Sequence, residues 1–196
     1  PLSKESLSQF EIYFNELIAW NKKINLTRIT ERSRVFIEHF LDSLLPQKFI
    51  PVGSNLADLG SGGGFPGVPL KIIRPDLRVT LIDSSLKKIT FLQHLIRLLG
   101  LSGIDTFHTH LGDKTLINRS YEICIGRALA PLKKFLALSL PLKSPPGTII
   151  AMKGPNFLRE LIEAKDFLAR QKIFLKEVEE FTLPFVHKKR AILIFG

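Results

Sequence analysis

The 196 residues are enough for one core-bearing domain with a small appendage, and 45% hydrophobic content suits a folded globule. No apolar run reaches the roughly 18 to 20 residues that span a bilayer, PLSKESLSQF has no apolar stretch of the secretory kind, and the single cysteine, Cys124, excludes an internal disulfide framework, so a cytoplasmic protein without a membrane partner is expected. Lys plus Arg number 28 against 18 Asp plus Glu, a formal net charge of +10, which favours a polyanionic partner such as nucleic acid because each neutralised phosphate releases counterions.

From Leu7 to Trp20, Phe10, Tyr13, Phe14, Leu17 and Ile18 recur at helical spacing and predict one amphipathic helix, broken at WNKKINLT. A second helix is expected behind Thr30 as N-cap and up to Pro46, with Val35, Phe36, Phe40, Leu41 and Leu44 inward. His39 and Asp42, three apart on that helix, could pair on a metal, but without a third ligand a hydrogen bond from this segment to the rest of the fold is the better reading, and no metal is expected. QKFIPVGSN is the expected junction, dividing a helical N-terminal cap (residues 1–50) from a larger domain (residues 51–196).

Strands and helices then alternate. NLADLG, RVTLID, IDTFHTH, YEICIG and GTIIAMK read as strands. The helices between them reach about Arg74 after the first strand, run through SSLKKITFLQHLIRLLG to Gly100, start at Pro131, and cover Asn156 to Arg170. Two closing extended runs, KIFLKEVEEFTL and RAILIFG, predict an antiparallel pair. The fold class expected is therefore α/β: a Rossmann-like, mostly parallel mixed sheet, antiparallel at its C-terminal end, with a helical N-terminal extension.

The turn ADLGSGGGFPGVPL follows the first strand, where open α/β sheets bind ligands. As G-x-G-x-x-G it must start at Gly62 and use Gly64 and Gly67, which puts Pro66, with no N–H, where amides should face a pyrophosphate. As D-x-G-x-G-x-G it runs Asp58, Gly60, Gly62, Gly64, with Pro66 as first helical residue. Asp58 would repel a pyrophosphate and suits a cation or ammonium, so S-adenosylmethionine, which has a sulfonium and an ammonium and no phosphate, is expected over NAD. Asp83, ending the second strand, is placed to accept hydrogen bonds from ribose hydroxyls, a role both cofactor classes share.

WNKKINLT, EHFLDSLLP, ADLGSGGGFPGVPLKIIRPD, LIDSSLKKITFLQ and GRALAPL occur in the same order in the RsmG (GidB) family, which this chain resembles from about Phe10 to the final strand. That is a family of bacterial methyltransferases acting on a guanine N7 of 16S ribosomal RNA in the small subunit. The resemblance implies a class I methyltransferase fold, S-adenosylmethionine as cofactor, and 16S ribosomal RNA, free or in a small-subunit particle, as partner of a monomer. It also implies that Gly60 and Phe65 line the methionine end and side of the cofactor, that Leu111 and Gly112 border the adenine, and that Arg127 stands beside donor and acceptor. Two positions depart from the family pattern. Gly112 stands where an acid is usual, with Asp113 next, and Glu38 stands where an arginine is usual, so a cationic RNA contact is missing there or supplied elsewhere.

The end of the fourth strand carries no Asp or Asn before Pro-Pro-aromatic, the device of amino-group methylation. Cytosine-C5 chemistry needs a cysteine nucleophile, whereas Cys124 between Ile123 and Ile125 reads as a small buried hydrophobe. Guanine N7 has a free lone pair and needs neither device, so alignment is the expected mechanism, with Arg127 the one catalytic candidate. A cation beside N7 would oppose the charge that develops there, so Arg127 and Lys153 are expected to hold carboxylate or phosphate. Lys188, Lys189 and Arg190 of the H-K-K-R cluster are candidates for RNA phosphate contact, against the plainer reading of a solvated turn. His108 and His110 read as packing or rim residues. A nucleotide-dependent oxidoreductase and a non-enzymatic RNA-binding module are the rival classes.

Overall fold

The computed structural model describes residues 2–116 and 118–196. Among these described residues, seven strands form one sheet in the order β3-β2-β1-β4-β5-β7-β6. They are β1 (Asn55–Leu59), β2 (Arg78–Asp83), β3 (Ile104–His108), β4 (Tyr121–Arg127), β5 (Lys143–Lys153), β6 (Leu175–Thr182) and β7 (Lys189–Phe195). The pairings among β1 to β5 are parallel, and β7 runs antiparallel to both β5 and β6. Chain order reverses beside β1, where β2 lies to one side and β4 to the other, and this is the position that opens a crevice at the strands' carboxyl ends.

The central strands are apolar because both faces are covered. Leu56, Leu81, Ile123, Ile125, Ile150, Ile192 and Ile194 enter one cluster, with α4 (Gly67–Ile73) and α5 (Leu86–Leu98). Their neighbours Ala57, Ile82, Cys124, Ile149, Ala151, Leu193 and Phe195 enter the other, with α6 (Leu132–Ser139) and α7 (Phe157–Gln171). The period of two along each strand thus assigns every second side chain to a different helical layer.

The N-terminal residues join the first of these cores. α1 (Lys4–Ile24) is longer than the Leu7–Trp20 stripe suggests, because Ser3 caps its start and Asn25, left-handed at φ 49°, ends it. Phe10, Tyr13 and Leu17 of α1 are buried in the same cluster as Val68 of α4 and Leu92 of α5. The second helical segment begins at α2 (Arg32–Val35), continues as a π-helical turn (Phe36–Leu41) and α3 (Asp42–Leu44), and ends in a 3-10 turn (Leu45–Phe49).

Two expectations for this segment are corrected. Its N-cap is Glu31, whose carboxylate accepts the Ser33 and Arg34 amides, and not Thr30. Leu41, expected inward, is 37% exposed, while Glu38 and Asp42 are buried. A π turn holds an extra residue relative to α geometry and rotates the face that follows. Smaller shifts occur elsewhere: β5 starts at Lys143, before the apolar run at Gly147, and α4 starts at Gly67, leaving Pro66 just outside the helix.

Candidate active site

The turn between β1 and α4 is shaped from below by Asp58. This side chain is fully buried, and its Oδ2 accepts the Gly67 amide at 2.9 Å, so it ties the strand's end to the first residue of α4. Gly67 must be glycine for this approach, since a Cβ there would stand 2.8 Å from Asp58 Oδ2 and collide with Leu81. Burial pushes the Asp58 carboxyl up to about 7, against the opposing pull of the Gly67 amide and Arg127. The expected cation partner of Asp58 is thus replaced, within the protein, by a backbone N–H. A carboxylate at the end of a buried strand is most cheaply satisfied by the helix that starts beside it.

Asp83 holds the turn from the neighbouring strand. Its Oδ2 accepts the Gly62 amide at 2.9 Å and its Oδ1 the Ser85 amide at 2.8 Å, which links the turns that follow β1 and β2. Gly60, at φ 71°, has Leu129 packed on the spot where a side chain would project, so it needs glycine for both conformation and space. Tyr13 of α1 donates to the Gly63 carbonyl at 2.5 Å and stacks on Phe65 at 5.4 Å between ring centroids, with His39 stacked on Phe65 at 4.6 Å. Phe65 is therefore buried between the N-terminal helices and the turn.

A cavity of about 440 Å³ opens above these turns, walled by Gly60, Asp83, Leu111, Leu129 and Arg127, with His110 at its rim. Gly62 and Gly112 belong to the turns that border it, whereas Asp58 and Phe65, both expected at the cofactor, are buried and do not line it. β3 stops at His108, whose Nε2 meets the Ser84 carbonyl, so the alternation expected through His110 ends there. A second cavity, about 840 Å³, shares Arg127, Ala128 and Ala130 with the first and continues to Glu38, His39, Asp42, Lys153, Glu160 and Arg190.

Arg127 is the partition between the two spaces. Its guanidinium donates to the Glu38 carbonyl at 3.0 Å and to Asp42 Oδ2 at 3.2 Å, meets His39 Nδ1 at 3.1 Å, and lies 4.9 Å above the Phe65 ring. Because a guanidinium only donates, Nδ1 of His39 accepts, which leaves the proton on Nε2 for Thr27 Oγ1 at 2.7 Å. Burial, with Arg127 adding to it, lowers the His39 pKa to about 3, so the imidazole is neutral. His39 and Asp42 therefore serve as the link from the N-terminal segment to the end of β4.

The same segment carries an acid centre at Glu38, which the sequence marked only as a departure from the family pattern. Burial pushes the Glu38 carboxyl up, but bonds from Arg34 at 2.7 Å and Lys188 at 2.5 Å outweigh it and hold the group below the usual carboxylate range. Arg34 and Lys188 remain half-exposed beside Glu38, which lines the larger cavity. Glu38 thus replaces the single arginine usual there with two cations gathered round a buried carboxylate. Arg190 Nε reaches Asp42 at 3.2 Å, whereas Lys189 is exposed. Lys153, almost buried, donates to the Ala130 carbonyl and to Glu160 Oε2, both at 2.7 Å. Glu160 was also missed; its signal is an acid in the first turn of α7 that can fold back to the preceding strand's lysine. Cys124 is buried within β4 and its thiol is pushed up to about 12 by burial, as a packing residue should be.

A mixed seven-stranded sheet with a glycine turn after β1, a carboxylate ending β2 and a cavity at the switch point defines the class I S-adenosylmethionine-dependent methyltransferase fold. Solved structures agree on the fold: a SAM-dependent methyltransferase from Aquifex aeolicus (TM-score 0.63, 17% identity, 87% of this chain and 96% of that one) and a ribosomal protein L11 methylase from Lactobacillus delbrueckii (TM-score 0.61, 15% identity, 81% and 78%). Within that class the sequence is more specific. The family profile for rRNA small subunit methyltransferase G matches residues 6–193. The chain is 42% identical to Ribosomal RNA small subunit methyltransferase G of Bacillus cereus strain AH187, over 99% of this chain and 83% of that protein. It is 41% identical to the Bacillus thuringiensis protein of the same name, over 98% and 83%. The chain belongs to the rRNA small subunit methyltransferase G family.

Proposed function

We propose that the protein transfers the methyl group of S-adenosylmethionine to N7 of a guanine in 16S ribosomal RNA. The observation that carries this is the pair of cavities that meet at Arg127, one bordered by the glycine turn and Asp83, the other lined by Arg127, Lys153, Arg159 and Arg190. Both oxygens of Asp83 already accept one amide each, which fixes the carboxylate while leaving its other lone pairs for ribose hydroxyls. Gly60 and Gly62 then face the methionine end, and Leu111 and Gly112 border the adenine. A pyrophosphate would need amides of the glycine turn, and those of Gly62 and Gly67 are already held by Asp83 and Asp58, which disfavours the oxidoreductase reading.

When bound, the cofactor supplies an electrophilic methyl on a sulfonium. The chain's own work is alignment: Arg127, held by Asp42, His39 and the Glu38 carbonyl, keeps the two cavities in fixed relation. Its donors face the N-terminal segment, so its charge is balanced there by Asp42. Lys153 is similarly balanced by Glu160. Arg34, Lys188 and Lys189 supply the cationic RNA contacts, and Arg190 is shared between Asp42 and the cavity. The protein acts as a cytoplasmic monomer, with residues 1–50 as a cap on the methyltransferase domain.

N7 methylation places a positive charge on the guanine ring and labilises its glycosidic bond. RNA from small-subunit particles treated with the protein and S-adenosylmethionine should therefore cleave at one position after borohydride and aniline. Cys124→Ala should retain most of this activity. A folded, cofactor-binding Cys124→Ala without activity would exclude the N7 assignment in favour of covalent C5 chemistry.

A further inference from the structure

The turn joining β6 to β7 holds a side chain that neither the core nor the methyl-transfer site uses. Phe185 is 84% exposed, and its backbone is left-handed at φ 63°, as is that of His187 at φ 49°. A non-glycine residue in this region costs on the order of 1 kcal/mol or more, and an exposed ring returns none of it through burial. The turn is nevertheless well anchored. Leu183 at its base is buried and donates its amide to the Lys188 carbonyl at 2.9 Å. Lys188 Nζ reaches Glu38 Oε2 at 2.5 Å, and Arg190 reaches Asp42 and lines the larger cavity. Phe185 is three residues from Lys188, a backbone span of at most about 11 Å, on a turn whose Lys188 and Arg190 hold two acids of that cavity's wall, Glu38 and Asp42.

Chemistry around the ring selects its partner. After Val186 come His187, Lys188, Lys189 and Arg190, while a protein-docking surface needs a contiguous apolar patch of several hundred Å². A single ring amid cations instead matches an unpaired base, with its π face on the aromatic and its phosphates on the lysines. We propose that Phe185 is a stacking platform for an unpaired RNA base next to the guanine that enters the larger cavity. This rests on the reading of RNA as the substrate. It adds a contact that is independent of charge and that orients the strand at the entrance.

The test uses small-subunit particles lacking the methyl group and compares Phe185→Ala, Phe185→Leu and Phe185→Trp with the wild type for particle affinity and methyl-transfer kinetics. Phe185→Ala and Phe185→Leu should each weaken binding and raise KM about tenfold, with kcat at saturation and S-adenosylmethionine affinity unchanged. Phe185→Trp should restore or tighten binding. Because no phosphate contact is lost, the slope of log affinity against log salt should stay at the wild-type value in all three. Photo-crosslinking from Phe185→benzoylphenylalanine should label RNA. Wild-type affinity in Phe185→Ala, rescue by leucine equal to that by tryptophan, or a crosslink to a ribosomal protein would each overturn the proposal. Absence of methyl transfer by the wild type would instead defeat the proposed reaction, while the affinity and crosslinking arms would still decide the role of Phe185.

Discussion

Asp83 serves two purposes with one carboxylate: it braces the Gly62 and Ser85 amides and faces the smaller cavity. Charge-assisted hydrogen bonds contribute about 1.5 to 3 kcal/mol each, so Asp83→Ala should weaken S-adenosylmethionine binding at least about tenfold by calorimetry. Asp83→Asn, which retains an acceptor, should lose less. An unaltered affinity in folded Asp83→Ala would remove this residue from the cofactor site. His39 and Asp58 make stability depend on pH in opposite senses. The folded His39 pKa, about 3, lies below its ordinary 6.5. The unfolded chain therefore binds the proton more readily, and stability is lost as pH falls from about 6.5. Asp58 is raised from 3.8 to about 7, so here the folded state holds the proton and stability falls as pH rises through that range. Melting temperature should thus drop less on acidification in His39→Gln than in the wild type. In Asp58→Asn it should rise relative to the wild type as pH goes from about 4 to about 7. Parallel wild-type and variant profiles would show that these groups do not carry the dependence.

At the scale of elements, the N-terminal segment and the end of β4 are held together by Arg127, and the β6–β7 turn is joined to both through Glu38 and Asp42. Arg127→Ala should therefore reduce methyl transfer on the order of a hundredfold, since a displacement of about 1 Å between reacting atoms has that effect. Arg127→Lys should rescue little, because a single ammonium cannot span Asp42, His39 and the Glu38 carbonyl together. Rates near wild type in Arg127→Lys would show that charge alone suffices. The placement of strands and helices along the chain was legible in the sequence because it follows from periodicity within a few residues. Leu59 and Ile82, or Phe10 and Leu17, declare their faces locally. The glycine turn and Asp83 were legible for the same reason. What was not legible depends on distance: Glu38 meets Lys188 across 150 positions, and Tyr13 meets Gly63 across 50. The π turn that carries Glu38 and Asp42 inward and Leu41 outward depends on that tertiary pairing, and no α-helical spacing announces it.

For the whole molecule, the net charge of +10 is distributed so that the acids lining the larger cavity are paired with cations. Glu38 is held by Arg34 and Lys188, Asp42 by Arg127 and Arg190, and Glu160 by Lys153. Arg34 and Lys188 stay half-exposed despite these pairs, and Arg159 of the larger cavity is exposed, so this side of the molecule presents cations that an RNA backbone can meet. Binding through such contacts releases counterions, and log affinity for small-subunit particles should fall linearly with log salt, by roughly 0.7 to 0.9 per phosphate engaged. S-adenosylmethionine binding in the smaller cavity releases no such counterions and should be nearly flat over the same range. Lys189→Ala should lower the RNA slope by about one while leaving S-adenosylmethionine affinity intact. An RNA profile as flat as that of the cofactor would mean that the net charge does not act on this side, and the RNA-facing surface would have to lie elsewhere on the molecule.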